Sequence, residues 1–187
     1  MTNDDERIGP SRGLGFVAKS QLLSEDDVAR ALTRMAHEIV ERNRDLGTVS
    51  LIGLQTGGEP FAQRLVTLLG NVAGNVPPLG LLDVSFYRDD LSMNPVPRSS
   101  RTIIDHDLTD RTVVLVDDVL FTGRTIRAAL NALTDWGRPS SVQLAVMVDR
   151  GHRELPIRPD YVGKNLPTSL GEDIKATLEG VWIGTRS

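Results

Sequence analysis

The sequence predicts an α/β fold in which helices cover a parallel sheet. Short apolar runs suited to buried strands alternate along the chain with segments whose apolar residues recur at helical spacing. The apolar runs that end at Leu54 and Val116 each lead into a glycine-containing turn and then a helix. Ligands of such folds bind at the carboxyl ends of the strands, so we expect the functional site at these turns.

The composition restricts the class of protein. A chain of 187 residues with 40% hydrophobic residues has the length and apolar content to build one buried core. The net charge of −4 provides no general attraction to nucleic acid, and the absence of cysteine excludes disulfides and thiol nucleophiles. The polar start and the lack of an apolar run of about 18–20 residues favour a cytoplasmic protein without membrane contact.

The amino-terminal part is predicted to contain an arm and then a capped helix. Residues 1–20 show no sustained periodicity, which favours a flexible arm ahead of one domain at residues 21–187. Ser24 and Asp27 have the spacing of an N-cap and its N3 partner, and the helix that they start is expected to end near Arg42. Its buried stripe is predicted to contain Val28, Leu32, Met35 and Ile39.

The remaining elements follow from apolar runs separated by turn residues. The polar stretch Tyr87–Asp107 is long enough to indicate a functional loop. A carboxyl-terminal hairpin is expected to turn at Glu179 and Gly180. The predicted strands are Val49–Leu54, Leu79–Phe86, Thr112–Val116, Ser141–Val148 and Tyr161–Val162, with hairpin strands Ala176–Leu178 and Val181–Gly184, and the further helices are Pro60–Leu69 and Thr125–Trp136.

The segment Val113–Thr125 contains the strongest chemical signal. Asp117 and Asp118 follow a buried apolar run, where adjacent carboxylates are costly unless sugar hydroxyls or a metal bind them. The turn at Gly123 then leads into a helix whose free N–H groups suit an anion such as phosphate. An ordinary capped turn would explain the glycine but not the two aspartates, and the Lys-Ser/Thr ending of a nucleotide P-loop is absent.

Other polar residues have simpler interpretations. His106, although it lies between two aspartates, is interpreted as a polar loop residue and not as a metal ligand. Trp136 is expected to pack at the end of a helix, and Glu172–Asp173 is expected to form a solvated turn.

Val113–Thr125 resembles the thirteen-residue signature of type I phosphoribosyltransferases. From about Leu23 to Ser169 the chain resembles the PyrR family of bifunctional pyrimidine-operon regulators and uracil phosphoribosyltransferases. The resemblance implies a type I phosphoribosyltransferase-like sheet with a flexible hood loop at Tyr87–Asp107. The segments that carry it are Ala29–Asn43, Phe86–Leu91, Val116–Thr125 and Gly137–Ser169.

The resemblance also implies a reaction and a set of site residues. Uracil and 5-phosphoribosyl-1-pyrophosphate (PRPP) would give UMP and pyrophosphate, with Mg²⁺ held mainly by PRPP and not by a fixed protein site. Asp117, Asp118 and Arg88 would be the catalytic residues. The family pattern places ribose and phosphate at Asp117, Asp118, Val119, Leu120, Phe121, Thr122, Gly123, Arg124 and Thr125, pyrophosphate at Thr56, Gly57 and Gly58, and uracil at Arg150, Tyr161 and Val162.

Two positions depart from patterns of related transferases. The pyrophosphate loop of the family usually reads Thr-Arg-Gly, whereas here Gly57 replaces the arginine, so a guanidinium suited to phosphate is missing. Purine phosphoribosyltransferases generally carry an acidic residue where this chain has Phe121. Phe121 cannot accept a proton, which argues against a purine substrate, while Gly57 leaves the catalytic strength open.

The resemblance further implies binding of pyrimidine-operon leader mRNA in the presence of UMP, and assembly as a homodimer or higher homo-oligomer. Without the resemblance, each basic residue fits an ordinary solvated surface. Two alternatives stay open: an RNA-binding regulator with weak or lost transferase activity, and a purine-type transferase without an RNA role. The residues that match the RNA surface of the family are Thr33, Arg34, His37, Arg42, Arg153, Arg158 and Lys164.

Overall fold

The computed structural model describes residues 15–55, 57–85 and 101–186. No helix in these ranges is both long enough and apolar enough to cross a lipid bilayer. The strands are β1 (Phe16–Ser24), β2 (Val49–Leu54), β3 (Leu79–Leu82), β4 (Thr112–Leu120), β5 (Ser141–Asp149), β6 (Tyr161–Asn165), β7 (Asp173–Thr177) and β8 (Gly180–Arg186), and the α-helices are α1 (Glu25–Arg42), α2 (Gly58–Ala73) and α3 (Arg124–Leu133).

The main sheet has five parallel strands in the order β3-β2-β4-β5-β6. The chain runs outward from β2 to β3 and then crosses back to β4, on the other side of β2. Because the connections leave in opposite directions here, the carboxyl ends of β2 and β4 border the crevice where such sheets bind ligands. The predicted α/β class with a helix-covered parallel sheet is confirmed.

Each face of the sheet packs against its own helices. On β4, Val114 and Val116 belong to the cluster under α1 and α2, whereas Val113 and Leu115 belong to the cluster under α3. All four side chains are at most 1% exposed. Burial on both faces explains why β4 is a continuous apolar run and not an alternating one. Trp136 packs against the α3 cluster, as predicted.

A second sheet of three antiparallel strands, in the order β1-β8-β7, carries the carboxyl-terminal hairpin. The hairpin was predicted, but the strand that extends it was not. Phe16–Ser20 lies in β1, where we had predicted part of a flexible arm. Most side chains of β1 are exposed, so the strand lacks the alternation of apolar and polar residues that would have revealed it.

Helix α1 agrees with its prediction, and the bounds of other elements shift. The Ser24 hydroxyl accepts from the Asp27 N–H and the Asp27 carboxylate accepts from the Ser24 N–H, which completes the capping box. Helix α2 begins before Pro60 and runs past Leu69, while β3 ends at Leu82 instead of Phe86. Strand β4 continues through the acidic pair to Leu120, because its pairing with β5 persists there.

The start of α2 lies very close to β4. A Cβ atom added to Gly58 would stand 2.1 Å from the carbonyl oxygen of Val116, a backbone atom that cannot rotate away. Only glycine permits this approach, and the helix must therefore begin directly beside the end of the apolar run of β4. This contact fixes the distance between the predicted pyrophosphate loop and the predicted ribose site.

We predict that Gly58→Ala lowers the free energy of unfolding by about 1–3 kcal/mol, because the added methyl group overpacks a rigid contact. Gly70→Ala in the same helix is the matched control. Its Cβ would meet a methyl group of the exposed Val76 side chain at 2.9 Å, which can move, and alanine favours a helix over glycine. Urea unfolding of both variants measures the difference, and equal stabilities would contradict the proposed contact.

Candidate functional site: a cleft at the carboxyl ends of β2 and β4

The acidic pair lies where β4 loses one of its neighbours. Pairing between β2 and β4 stops at Gly53 and Val116, whereas pairing between β4 and β5 continues to Leu120. Asp117 and Asp118 therefore stand at the point where the sheet opens beside β2. A cleft is expected at such a divergence, and its floor is the end of β4.

Backbone and side-chain hydrogen bonds hold the two carboxylates together. The Asp118 N–H donates to Asp117 Oδ1 over 2.9 Å, and the Val119 N–H donates to Asp118 Oδ1 over 2.7 Å. Asp117 is only 7% exposed. Burial raises the pKa of Asp118, and the nearby carboxylate of Asp173 raises it further. Such acids favour ligands that donate hydrogen bonds or bring positive charge.

The predicted pyrophosphate loop lies against the acidic pair. Gly57 precedes α2 and caps it without a side-chain hydrogen bond. A Cβ atom at Gly57 would stand 2.2 Å from Asp118 Oδ2, so the carboxylate fills the space beside this glycine. Gln55 closes the other side of the loop, with its side-chain amide donating to the carbonyl of Arg101 over 3.2 Å. Of the other predicted site residues here, Thr56 and Arg88 lie outside the described residues, as does the hood loop up to residue 100.

The predicted phosphate turn leads from β4 into α3. Gly123 has φ of 93°, a left-handed conformation that favours glycine. The helix begins at Arg124, and Thr122 Oγ1 accepts from its N–H over 3.4 Å. The first turn of a helix leaves backbone N–H groups without intrahelical partners, and Thr122 and Thr125 carry hydroxyl donors, so the turn can bind a phosphate dianion.

A loop after β5 supports this turn from outside. The Thr122 carbonyl accepts from the Glu154 N–H over 3.0 Å, and the Glu154 carboxylate forms an ion pair with Arg124 at 2.6 Å. The Arg153 guanidinium donates to the Phe121 carbonyl over 2.8 Å and pairs with Asp149. The phosphate turn is thus held from both sides, by β4 and by the segment 151–158.

A cavity of about 250 Å³ opens beside Phe121. The Arg150 guanidinium carbon lies 4.0 Å from the centre of the Phe121 ring, in cation–π contact. Leu170, which is 74% exposed, stands at the rim. The cavity is lined by Phe121, Arg150, Leu170, Gly171, Glu172 and Asp173.

Arg150 is fixed by a buried set of partners. It pairs with Asp173 at 3.0 Å and donates to the Glu172 carbonyl over 2.6 Å and to the Thr168 hydroxyl over 3.0 Å. The Arg150 side chain is 5% exposed and that of Asp173 is 16% exposed. The prediction of a solvated turn at Glu172–Asp173 was therefore wrong for Asp173, which is the ion-pair partner of a buried arginine.

Tyr161 and Val162, predicted to line the uracil pocket, lie elsewhere. Tyr161 pairs with Ala145, four residues before the end of β5, and its ring packs in the cluster under α1. Its hydroxyl donates to Gln143 Oε1 over 2.7 Å. Val162 packs against the α3 cluster. Of the three residues predicted to bind uracil, only Arg150 lines the cavity. The segment 170–173 also lines it and was not predicted to do so, although Glu172 and Asp173, two adjacent acids before the predicted hairpin, could have indicated it.

The two predicted RNA-binding segments approach one another at the edge of the main sheet. Arg34 on α1 donates to the carbonyls of Val162 and Gly163 on β6, over 2.9 and 2.8 Å. Arg42 pairs with Asp160 at 2.6 Å. Thr33, His37, Arg158 and Lys164 are exposed. Arg153 differs from the other predicted RNA-binding residues, because its guanidinium points inward to the phosphate turn.

The described residues offer no cluster of three or more His, Cys, Asp or Glu side chains placed to hold a metal ion. His106, interpreted as a polar loop residue, contacts the Ser50 hydroxyl at 3.1 Å and Asp105 at 3.0 Å. A divalent ion at the cleft could take oxygen ligands from Asp117 or Asp118, and a phosphorylated ligand would have to supply the others.

Comparison with known structures supports the fold. A hypoxanthine phosphoribosyltransferase from Staphylococcus aureus has a TM-score of 0.67 at 17% identity, and the match covers 91% of this chain and 93% of that enzyme's chain. The hypoxanthine phosphoribosyltransferase of Trypanosoma cruzi has a TM-score of 0.69 at 20% identity, and the match covers 91% of this chain and 98% of that enzyme's chain. At these identities the likeness concerns the fold alone.

Comparison of sequences establishes the family. The model of the phosphoribosyl transferase domain matches residues 18–177. The bifunctional protein PyrR of Deinococcus radiodurans is 55% identical over 164 residues, covering 86% of this chain and 88% of that protein. The PyrR of Chloroflexus aurantiacus is 54% identical over 161 residues with the same coverage. The resemblance found in the sequence is thereby confirmed: the chain is a phosphoribosyl transferase and belongs to the PyrR family.

Proposed function

We propose that the protein converts uracil and PRPP to UMP and pyrophosphate, and that it regulates pyrimidine-operon expression by binding leader mRNA in response to UMP. The observation that carries the transferase half is the cleft itself. One crevice brings together an acidic pair, a glycine turn that suits phosphate and an arginine-lined cavity. All three lie near the carboxyl ends of the parallel strands. This arrangement suits a single ligand made of a phosphate, a ribose and a base.

The chain's own residues have separable tasks in this reaction. The 5′-phosphate binds the turn Thr122–Thr125 through N–H and hydroxyl donors. Asp117 and Asp118 accept from the ribose hydroxyls and, being negative, stabilise the cation-like ribosyl centre as the bond to pyrophosphate breaks. The loop at Gly57 and Gly58 receives the leaving pyrophosphate through backbone N–H groups. Arg88 remains a predicted anion contact.

Mg²⁺ enters the proposal as a partner of PRPP. The acidic pair fits a hard cation in ligand type, and the oxygen atoms of PRPP would supply the remaining coordination. When bound, the ion neutralises charge on the leaving pyrophosphate.

We assign uracil to the cavity beside Phe121. The base would pack on the Phe121 ring and the Leu170 side chain, and polar groups of the segment 170–173 would bind its edge. Phe121 offers no group that could take a proton from a purine ring. Arg150 cannot serve as a base either, because a guanidinium stays protonated. The cavity therefore suits a pyrimidine that needs no protein base at this position.

For RNA, we propose a surface at the edge of the main sheet, formed by α1 and β6. Exposed Thr33, His37 and Lys164 provide donors for phosphates and unpaired bases, and the target is expected to be a hairpin loop. Arg34 and Arg42 hold the two elements together and contribute their outer faces. The segment 151–158 connects this edge to the phosphate turn. Through this segment, UMP bound at the turn would influence the RNA-binding surface.

A second candidate function is an RNA-binding regulator whose transferase activity is weak. Gly57 favours it, because the guanidinium usual in the family's pyrophosphate loop is absent. The cleft would then serve mainly as a sensor of UMP. The rate of turnover separates the two candidates.

We predict that the purified protein releases pyrophosphate when given uracil, PRPP and Mg²⁺. Hypoxanthine and guanine should give little release, because the cavity has no acid at Phe121. A coupled pyrophosphate assay measures the three rates. Release with a purine but none with uracil would sink the proposed substrate.

We predict that Leu170→Ala raises the KM for uracil roughly tenfold, as expected from losing about 1.4 kcal/mol of apolar contact with the base. The KM for PRPP should stay nearly constant, because Leu170 lies away from the phosphate turn. Leu130→Ala on α3 is the control, since it also removes an exposed leucine. If the two variants had the same KM for uracil, the base would not lie beside Leu170.

We predict that UMP tightens binding of the chain to its own operon leader and that Lys164→Ala weakens this binding. The substitution should also reduce the slope of the logarithm of the binding constant against the logarithm of salt concentration by about one, as expected for one lost phosphate contact. Arg138→Ala is the matched control, because Arg138 is exposed in the turn before β5 and belongs to neither α1 nor β6. Filter binding across a range of salt gives both quantities. An affinity that is indifferent to UMP would contradict the regulatory half.

A further inference from the structure

Gly57 and Asp118 share one small volume. The three nearest atoms to a Cβ built on Gly57 all belong to the Asp118 carboxyl group, at 2.2, 2.3 and 2.7 Å. Real Cβ atoms essentially never approach other atoms so closely. Any residue other than glycine at this position would therefore displace the carboxyl group, which lies at the end of a side chain that can rotate.

The carboxyl group is held there by more than the absence of a side chain. Its Oδ1 accepts from the Val119 N–H over 2.7 Å, and its backbone N–H donates to Asp117. Asp117 and Asp173, which also act on the pKa of this group, are both acidic. The Asp118 carboxyl group can occupy this position because Gly57 has no side chain.

This placement affects PRPP and UMP differently. Under the proposed function, both ligands have a ribose 5-phosphate, and only PRPP carries a pyrophosphate group, which must lie against the loop at Gly57. Charged or protonated, the Asp118 carboxyl group fills part of that space, and when charged it also repels the pyrophosphate. UMP carries uracil on the anomeric carbon instead, directed into the cavity beside Phe121.

We infer that Gly57 is a positioning residue that holds Asp118 against the pyrophosphate loop and so biases the cleft toward UMP over PRPP. This inference rests on the proposed function and deepens it. The glycine then does more than remove a phosphate contact. In the ligand-free protein the cleft then fits UMP, whereas PRPP can bind only after the Asp118 carboxyl group has moved.

The test is the ratio of two dissociation constants, measured by calorimetry with UMP alone and with PRPP and Mg²⁺. Gly57→Ala adds a Cβ without charge, and it should shift the ratio toward PRPP by about tenfold, the equivalent of 1.4 kcal/mol. In an Asp118→Ala background the same substitution should leave the ratio unchanged, because the displaced group is gone. Gly57→Arg separates space from charge: if only the missing guanidinium matters, arginine shifts the ratio and alanine does not, which overturns the inference.

Two further variants keep the outcome interpretable. Gly47→Ala is the matched control, since its Cβ would also meet a carboxylate, Asp45 Oδ1 at 3.0 Å, but in a turn before β2. It should not change the ratio. Should Gly57→Ala fail to fold, Asp118→Ala alone removes the group that fills the space beside Gly57 and should move the ratio in the same direction; an unchanged ratio would overturn the inference.

Failure of this inference is distinct from failure of the proposed function. A wild-type protein that binds neither UMP nor PRPP contradicts the proposed function and the inference with it. A wild-type protein that binds both, with a ratio that is insensitive to Gly57→Ala, leaves the proposed function standing and contradicts the inference alone.

Discussion

The close contact between Gly58 and the carbonyl of Val116 is the constraint on which the functional cleft depends. It places the start of α2 directly on β4, at the residue where β2 stops pairing. The loop before α2 is thereby brought against the acidic pair that follows Val116. A bulkier residue at 58 would move the helix, and the proposed pyrophosphate loop would move away from the proposed ribose site.

Charge is concentrated at this end of the sheet, and Arg150 balances part of it. Asp117, Asp118 and Asp173 lie in or beside the cleft, and burial raises the pKa of Asp118. Arg150 offsets Asp173 through a buried ion pair and also stacks on Phe121. One arginine thus contacts both the Phe121 ring and the Asp173 carboxylate in the lining of the cavity. A buried charge that loses its partner is costly, so we expect the shape of the cavity to depend on this pair.

Features that repeat along the chain could be predicted from sequence, and features that depend on distant partners could not. Helix α1 was found from its capping box and apolar spacing, and β4 from its apolar run. The partner of Asp173 is Arg150, far along the chain, so no local pattern revealed the pair. The separation of Tyr161 from the cavity at Arg150 could not be predicted for the same reason, because the strand register that puts Tyr161 opposite Ala145 is a tertiary property. Strand β1 was missed because its exposed side chains carry no periodic signal.

In the proposed function a nucleotide spans the cleft, with its phosphate at the turn after Phe121 and its base in the cavity before β7. A crystal structure of the protein with UMP tests this most directly. We expect the phosphate at the N–H groups of residues 122–125, the ribose hydroxyls at Asp117 and Asp118, and uracil between Phe121 and Leu170. Uracil bound beside Tyr161, or UMP bound away from the acidic pair, would contradict the account.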